Sequence, residues 1–105
     1  MPKTFGEKIR ALRKEKGLTL DQLADKTESS KSYIWELENK NPPRPSAEKI
    51  AKIAAELGVT SDYLMDEKDQ NKESAEDLAF YRKYRDIDPD TKVRVREMLN
   101  LIIKK

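Results

Sequence analysis

The stretch SSKSYIWELENK, residues 29 to 40, gathers hydrogen-bonding and aromatic side chains around only two aliphatic ones, Ile34 and Leu37. These two stand three apart, the spacing of neighbours on one helix face. Burying that face leaves Lys31, Ser32, Tyr33, Trp35 and Glu36 outside. Such a set suits the edges of base pairs. A lysine donates to guanine O6 and N7, a serine donates or accepts, and a glutamate accepts from cytosine N4. The Tyr33 phenol can reach a phosphate or a thymine methyl, and Glu36 can equally be a solvated charge that repels phosphate. Trp35, the sole tryptophan, has two readings: packing on sugar, phosphate or thymine methyl, or covering the helix edge against the 41 to 45 loop.

The elements that must position this segment are legible as short amphipathic helices with clear punctuation. Phe5, Ile9 and Leu12 follow the i, i+4, i+7 stripe of a first helix over about 4 to 16, with Thr4 able to cap it and Gly17 to end it. Thr19 with Gln22 three residues later predicts a capping box at the start of a helix over 20 to 26. Four residues, TESS, precede a third helix over 31 to 38 capped by Ser30, and NPPRP then forbids its continuation. Ser46 caps AEKIAKIAAELG, whose Ile50, Ile53, Ala54 and Leu57 form one apolar face, and TSDYLM supplies a short fifth helix.

Composition removes most other chemistries. With no cysteine and no histidine, the 105 residues hold no disulfide, no ordinary zinc site and no histidine-based acid, base or triad. No cofactor, metal or catalytic residue is expected, and the carboxylates Asp86, Asp88 and Asp90 read as turn and cap residues. No apolar run approaches the roughly 20 residues of a bilayer span, and MPKTFGEKIR lacks a signal-peptide core, so a cytoplasmic protein is expected. The net charge of +2 decides little, but its distribution is informative: residues 1 to 65 carry +2, 66 to 76 carry −3 and 77 to 105 carry +3.

The acidic stretch DEKDQNKESA predicts a solvated linker, giving three segments: a domain over 1–66, a linker over 67–75 and a C-terminal helical hairpin over 76–105. Ser74 is the expected cap of its first helix; Asp88 caps the second, with Pro89 at its first helical position. Leu78 and Tyr81 mark one face of the first helix; Val95, Met98, Leu99 and Ile102 line the second. A hairpin of about 30 residues is too small to support its own core. It must fold back onto the first domain or pair with a second copy.

Two helices joined by a short turn, the second of them polar, make a helix-turn-helix unit. Residues 4 to 65, through IRALRKEKGLTLDQLADKT, SKSYIWELENK and PSAEKIAKIAAELGVTSDYLM, resemble the Cro/CI-type (XRE) family of helix-turn-helix transcriptional regulators. The resemblance implies an all-α fold, a five-helix lambda-repressor-like DNA-binding domain followed by the two-helix hairpin. It implies a dimeric repressor, bacterial or phage-encoded and nucleoid-associated, bound to a pseudo-palindromic double-stranded DNA operator. An antitoxin-like regulator whose hairpin grips a second protein is the alternative. By resemblance, Lys31, Ser32, Tyr33, Trp35 and Glu36 face bases, while Thr19, Asn39, Lys40 and Arg44 face phosphate. Arg13 and Glu38 match the family's buried ion pair between helices 1 and 3. Tyr63, Leu64 and the hairpin residues named above are expected at the dimer surface. The chain departs from the family at Leu20, where a bridging glutamine is common, and at Glu28 and Lys40, where turn glycines are common. At this length the self-cleaving C-terminal domain of some relatives, and with it damage-triggered autoproteolysis, is not expected.

Overall fold

Seven helices succeed one another in the computed structural model, which describes residues 2 to 103: α1 Phe5–Glu15, α2 Leu20–Lys26, α3 Lys31–Asn39, α4 Ala47–Leu57, α5 Ser61–Met65, α6 Lys72–Asp86 and α7 Pro89–Ile103. Among the described residues there is no strand. The caps explain the boundaries. Thr4 with Glu7, and Thr19 with Gln22, form reciprocal capping boxes, while Ser30, Ser46 and Thr60 each accept from the backbone amide three residues on. Gly17 and Gly58, both at φ 72°, end α1 and α4 in the left-handed region where a side chain is penalised.

The apolar stripes of α1 to α5 converge on one core. Phe5, Ile9, Leu12, Leu23, Ile34, Leu37, Ile53, Leu57 and Leu64 are all essentially inaccessible, each contributing about 1.5 to 3 kcal/mol of hydrophobic stabilisation. Helix α1 crosses α3 so closely that the two backbones nearly touch at Gly6. Tyr63 and Leu64 belong to this core, at 3% and 0% exposure, so the expectation that they line a dimer surface is corrected. A five-residue helix docks only by burying its few large side chains, and these are the ones it has.

The stretch expected to be a solvated linker is mostly exposed, but its second half is helical and the expected cap is corrected. Helix α6 starts at Lys72 with Asn71 as its cap, accepting from the Ser74 amide at 3.0 Å; Ser74 is not the cap. Ala75, on its first turn, is buried in the core of the first five helices. Beyond Ala75 the chain leaves that core. Helix α7 buries no described residue, and the last two residues of the expected hairpin lie outside the described ones. The radius of gyration is 15.5 Å, against about 13 Å for a compact domain of this length. The turn between α6 and α7 is held by Asp88, whose carboxylate accepts from the Thr91 amide at 3.0 Å and hydroxyl at 2.6 Å. Those two bonds hold the Asp88 carboxyl below its usual pKa, and Pro89 opens α7.

Candidate nucleic-acid interface

Helix α3 divides cleanly by face. Ile34 and Leu37 are buried, while Lys31, Ser32, Trp35, Glu36, Asn39 and Lys40 are exposed. The Ser30 hydroxyl accepts from the Tyr33 amide at 3.1 Å, capping the end of α3 that carries the Lys31 and Ser32 side chains. Lys31, Ser32, Trp35, Glu36 and Lys40, together with Leu20 from the start of α2, line one shallow groove. Tyr33 stands apart from it, half-buried with its ring packed partly against the core.

The groove's polar groups are loosely engaged within the chain. Lys31 Nζ lies 3.9 Å from Asp21, a pair exposed on both sides and therefore weak. Lys40 Nζ sits 5.6 Å from the centroid of the Trp35 ring, within cation–π range. Asn39 donates from Nδ2 to the Trp35 carbonyl at 2.9 Å and keeps a second N–H free. The Thr19 hydroxyl accepts from the Gln22 amide at 3.0 Å, so its own proton is available to an anion beside the positive end of α2.

Arg44 is placed differently. Its guanidinium stacks over Phe5 at 4.4 Å, donates to Asn41 Oδ1 at 2.9 Å and pairs with Glu67 at 3.2 Å. It does not line the groove.

The glycine-like positions resolve in two ways. Lys40 keeps a right-handed backbone at φ −116°, and the left-handed turn falls one residue later on Asn41 at φ 48°, a residue type that tolerates it. Glu28, between α2 and α3, does take the left-handed conformation at φ 55°. Helix α4 supports this strained turn: Lys49 Nζ donates to the Thr27 carbonyl at 2.6 Å and the Glu28 carbonyl at 2.9 Å, and Lys52 pairs with the Glu28 carboxylate.

Arg13 Nε and Nη2 donate to the two Glu38 oxygens at 2.7 and 3.0 Å, and Nη1 donates to the Leu18 carbonyl at 2.9 Å. The bond to Glu38 raises the Arg13 pKa further, against the burial that lowers it. The pair ties the C-terminal turn of α3 to α1, on the side away from the groove.

One buried, fully hydrogen-bonded side chain gives no sequence signal. Lys8 lies on the core side of α1, fully buried, donating from Nζ to the carbonyls of Tyr63 at 2.6 Å, Asp66 at 2.9 Å and Asp69 at 2.6 Å. A lysine on a helix reads as solvated until the distant carbonyls that satisfy it are placed. Among the described residues, no group of His, Cys, Asp or Glu could hold a metal ion, and no helix is long and apolar enough to cross a membrane.

The family model described as a helix-turn-helix domain matches residues 6–70. Among solved structures, the biofilm master regulator SinR in complex with DNA is 36% identical with a TM-score of 0.56, covering 60% of this chain and all of that one. The SinR/SinI complex, at 30% identity and a TM-score of 0.58, covers 93% of both chains. The N-terminal DNA-binding domain of SinR from Bacillus subtilis is 39% identical over 61% of this chain and 93% of that one, with a TM-score of 0.56. The clp gene regulator ClgR from Corynebacterium glutamicum shares the fold, with a TM-score of 0.54 at 22% identity over 96% of this chain and 92% of that one. A comparison with curated proteins gave no significant match. The five-helix core, the exposed face of α3 and these likenesses together place the chain in the XRE family of helix-turn-helix DNA-binding transcriptional regulators, a family and fold of regulators rather than enzymes.

Proposed function

We propose that this protein is a cytoplasmic, nucleoid-associated, dimeric repressor that recognises a pseudo-palindromic operator in double-stranded DNA. The observation that carries the reading is the groove on α3, where Lys31, Ser32, Trp35, Glu36 and Lys40 stand exposed on a helix anchored from behind by Ile34, Leu37 and Glu38. Lys31 and Ser32 read base edges, with Glu36 one turn further on accepting from cytosine. Thr19, Asn39 and Lys40 hold phosphate. Arg44, already engaged by Glu67 and Phe5, contributes a phosphate contact only by exchanging Glu67 for DNA. The SinR/DNA complex supports the same use of the helix-turn-helix unit.

Selection of bound sequences from a random DNA pool tests this reading. One enriched motif with two-fold symmetry is expected, and binding that weakens steeply with salt, as released counterions require. No enrichment, or salt-insensitive binding, overturns it. Trp35→Ala should lower operator affinity by about 1 kcal/mol or more. Since the indole is 43% exposed, thermal stability should stay within about 0.5 kcal/mol. Lost stability with unchanged affinity would instead assign Trp35 to packing.

Self-association is assigned to the hairpin. Leu78, Tyr81, Met98, Leu99 and Ile102 are exposed, Ile102 at 78%, and Val95 is half-buried. Two-fold pairing of these faces covers an apolar surface that a lone chain leaves in water, and it doubles the base contacts on half-sites about one helical turn apart. Leu99→Glu combined with Ile102→Glu should convert the dimer to monomer in sedimentation while leaving the α1 to α5 core intact. An unchanged dimer would move the interface elsewhere.

A second reading has the same hairpin engage a different protein, as in an antitoxin or a partner-controlled regulator. The likeness to SinR from its complex with SinI, over 93% of both chains, favours it. A second small chain that co-purifies with the protein and releases it from DNA would decide for this reading.

A further inference from the structure

Residues 66–71 connect the last helix of the core to α6, and their composition is that of a tether. A free tether of six residues has a root-mean-square span of about 13 Å. This one is tied at every step. Asp66 and Asp69 accept from backbone amides two residues on, and Asn71 from the Ser74 amide, at 2.9 to 3.0 Å. Gln70 exchanges two hydrogen bonds with the Lys3 backbone, at 2.9 and 3.1 Å. Lys72 pairs with Glu15 of α1 at 2.9 Å, Glu67 pairs with Arg44, and Ala75 is buried in the core.

Lys8 joins these ties. Its three carbonyl partners belong to α5, to the residue that ends α5 and to the turn before α6, so one side chain on α1 spans the connection. The ammonium also lies 4.2 Å from the Tyr63 ring centroid. An ammonium has three donors, and here each finds an acceptor. A buried charge tolerates nothing less, so these bonds are obligatory rather than opportunistic. Burial pulls the Lys8 pKa below the usual lysine value, and the carboxylates of Asp69, Asp66 and Glu67 push it back up.

We propose that residues 66–75 form a rigid elbow, keyed by Lys8, which fixes the direction of α6 and thereby sets the half-site spacing that the dimer accepts on DNA. The inference rests on the dimeric DNA-binding reading above. Adding one base pair between half-sites moves the second by about 3.4 Å and turns it by about 35°. A span of about 13 Å in each arm would absorb that change. A rigid elbow cannot, so one recognition helix disengages and the avidity of about 10²-fold or more is lost.

The test uses the full-length protein and duplexes carrying two copies of the selected half-site, with the separation changed one base pair at a time, beside a duplex with a single half-site. The unmodified protein should prefer one spacing by about 10²-fold. Lys8→Met, which keeps the aliphatic stem without the charge, should flatten that preference while binding the single half-site as before. If Lys8→Met does not fold, the double variant Gln70→Ala and Lys72→Ala loosens the same elbow through an exposed and a half-exposed residue, neither of them in the DNA-binding set. Because the chain has no cysteine, Glu56→Cys with Arg85→Cys gives two clean spin-label sites, one on α4 and one on α6. Diluted with unlabelled chain, the labelled protein should show one narrow distance, and the loosened variants a broad distribution. A broad distribution in the otherwise unmodified chain, or equal binding at all spacings, overturns the elbow. Failure to bind even the single half-site would sink the DNA-binding reading instead, while the distance measurement still judges the elbow.

Discussion

Glu38→Ala should cost about 3 to 5 kcal/mol of folding stability, a large share of the roughly 5 to 15 kcal/mol that holds a domain of this size together. The Glu38 side chain is 1% exposed and accepts two guanidinium bonds from Arg13. Truncating it strands a guanidinium that cannot lose its proton, with only the Leu18 carbonyl still bonded. Urea titration with the operator absent should show the midpoint falling at an unchanged slope. The folded fraction should still select the same DNA sequence, since Glu38 points away from the groove on α3. The double variant Arg13→Met with Glu38→Leu should recover most of the loss, because replacing both charges by apolar groups removes the desolvation penalty along with the attraction. A single variant that loses less than about 1 kcal/mol, the range of exposed pairs, would show that water already screens this one.

The boundaries of α2 and α4, the caps at Thr4, Thr19, Ser30 and Ser46, and the two-sided character of α3 were legible because each depends on residues within a few positions of one another. Local hydrogen bonding and helical periodicity are written in consecutive sequence. What escaped reading is what depends on a partner far along the chain. Lys8 looks like a solvated lysine until carbonyls 55 to 61 residues away surround it. The same absent partners leave residues 67–75 readable only as a solvated linker, since polar composition does not show which side chains bond α1 or the residues before it. Tyr63 and Leu64 were legible as apolar but not as inward-facing, because a five-residue helix is too short for periodicity to name its buried side. Among the candidate DNA contacts, Arg44 shows the converse difficulty: its charge is visible in sequence, but its stacking on Phe5 and pairing with Glu67 are not. Lys40 shows a finer one, since the left-handed turn sits on Asn41 instead.

Gly6→Ala should be damaging on a scale comparable to Glu38→Ala, and in the direction opposite to the ordinary effect of this substitution. In an exposed helix interior, replacing glycine by alanine stabilises by about 0.5 to 1 kcal/mol through backbone entropy. At Gly6 the new methyl would stand 2.4 Å from the Leu37 carbonyl oxygen and 2.8 Å from that of Glu38. An ordinary carbon–oxygen contact needs about 3.3 Å or more, so α1 and α3 must separate by roughly 1 Å. Both obstructing atoms are backbone, so no side chain can turn aside. Separation opens the interface formed by Phe5, Ile9, Ile34 and Leu37 and stretches the Arg13–Glu38 bonds on the same side of α3. Overpacking usually costs about 1 to 3 kcal/mol, and the strained ion pair brings the expected loss to about 3 kcal/mol or more. Operator affinity should fall as well, because α3 carries the side chains in the groove and shifts with its backbone. Gly17→Ala is the control: its new methyl meets nothing within 4 Å, so only the left-handed backbone at φ 72° is penalised, at about 1 to 2 kcal/mol. Thermal melting of both variants beside the parent decides the matter. A Gly6→Ala protein as stable as the parent would mean that α1 and α3 have room to spare, and that the close crossing does not fix the position of the DNA-reading helix.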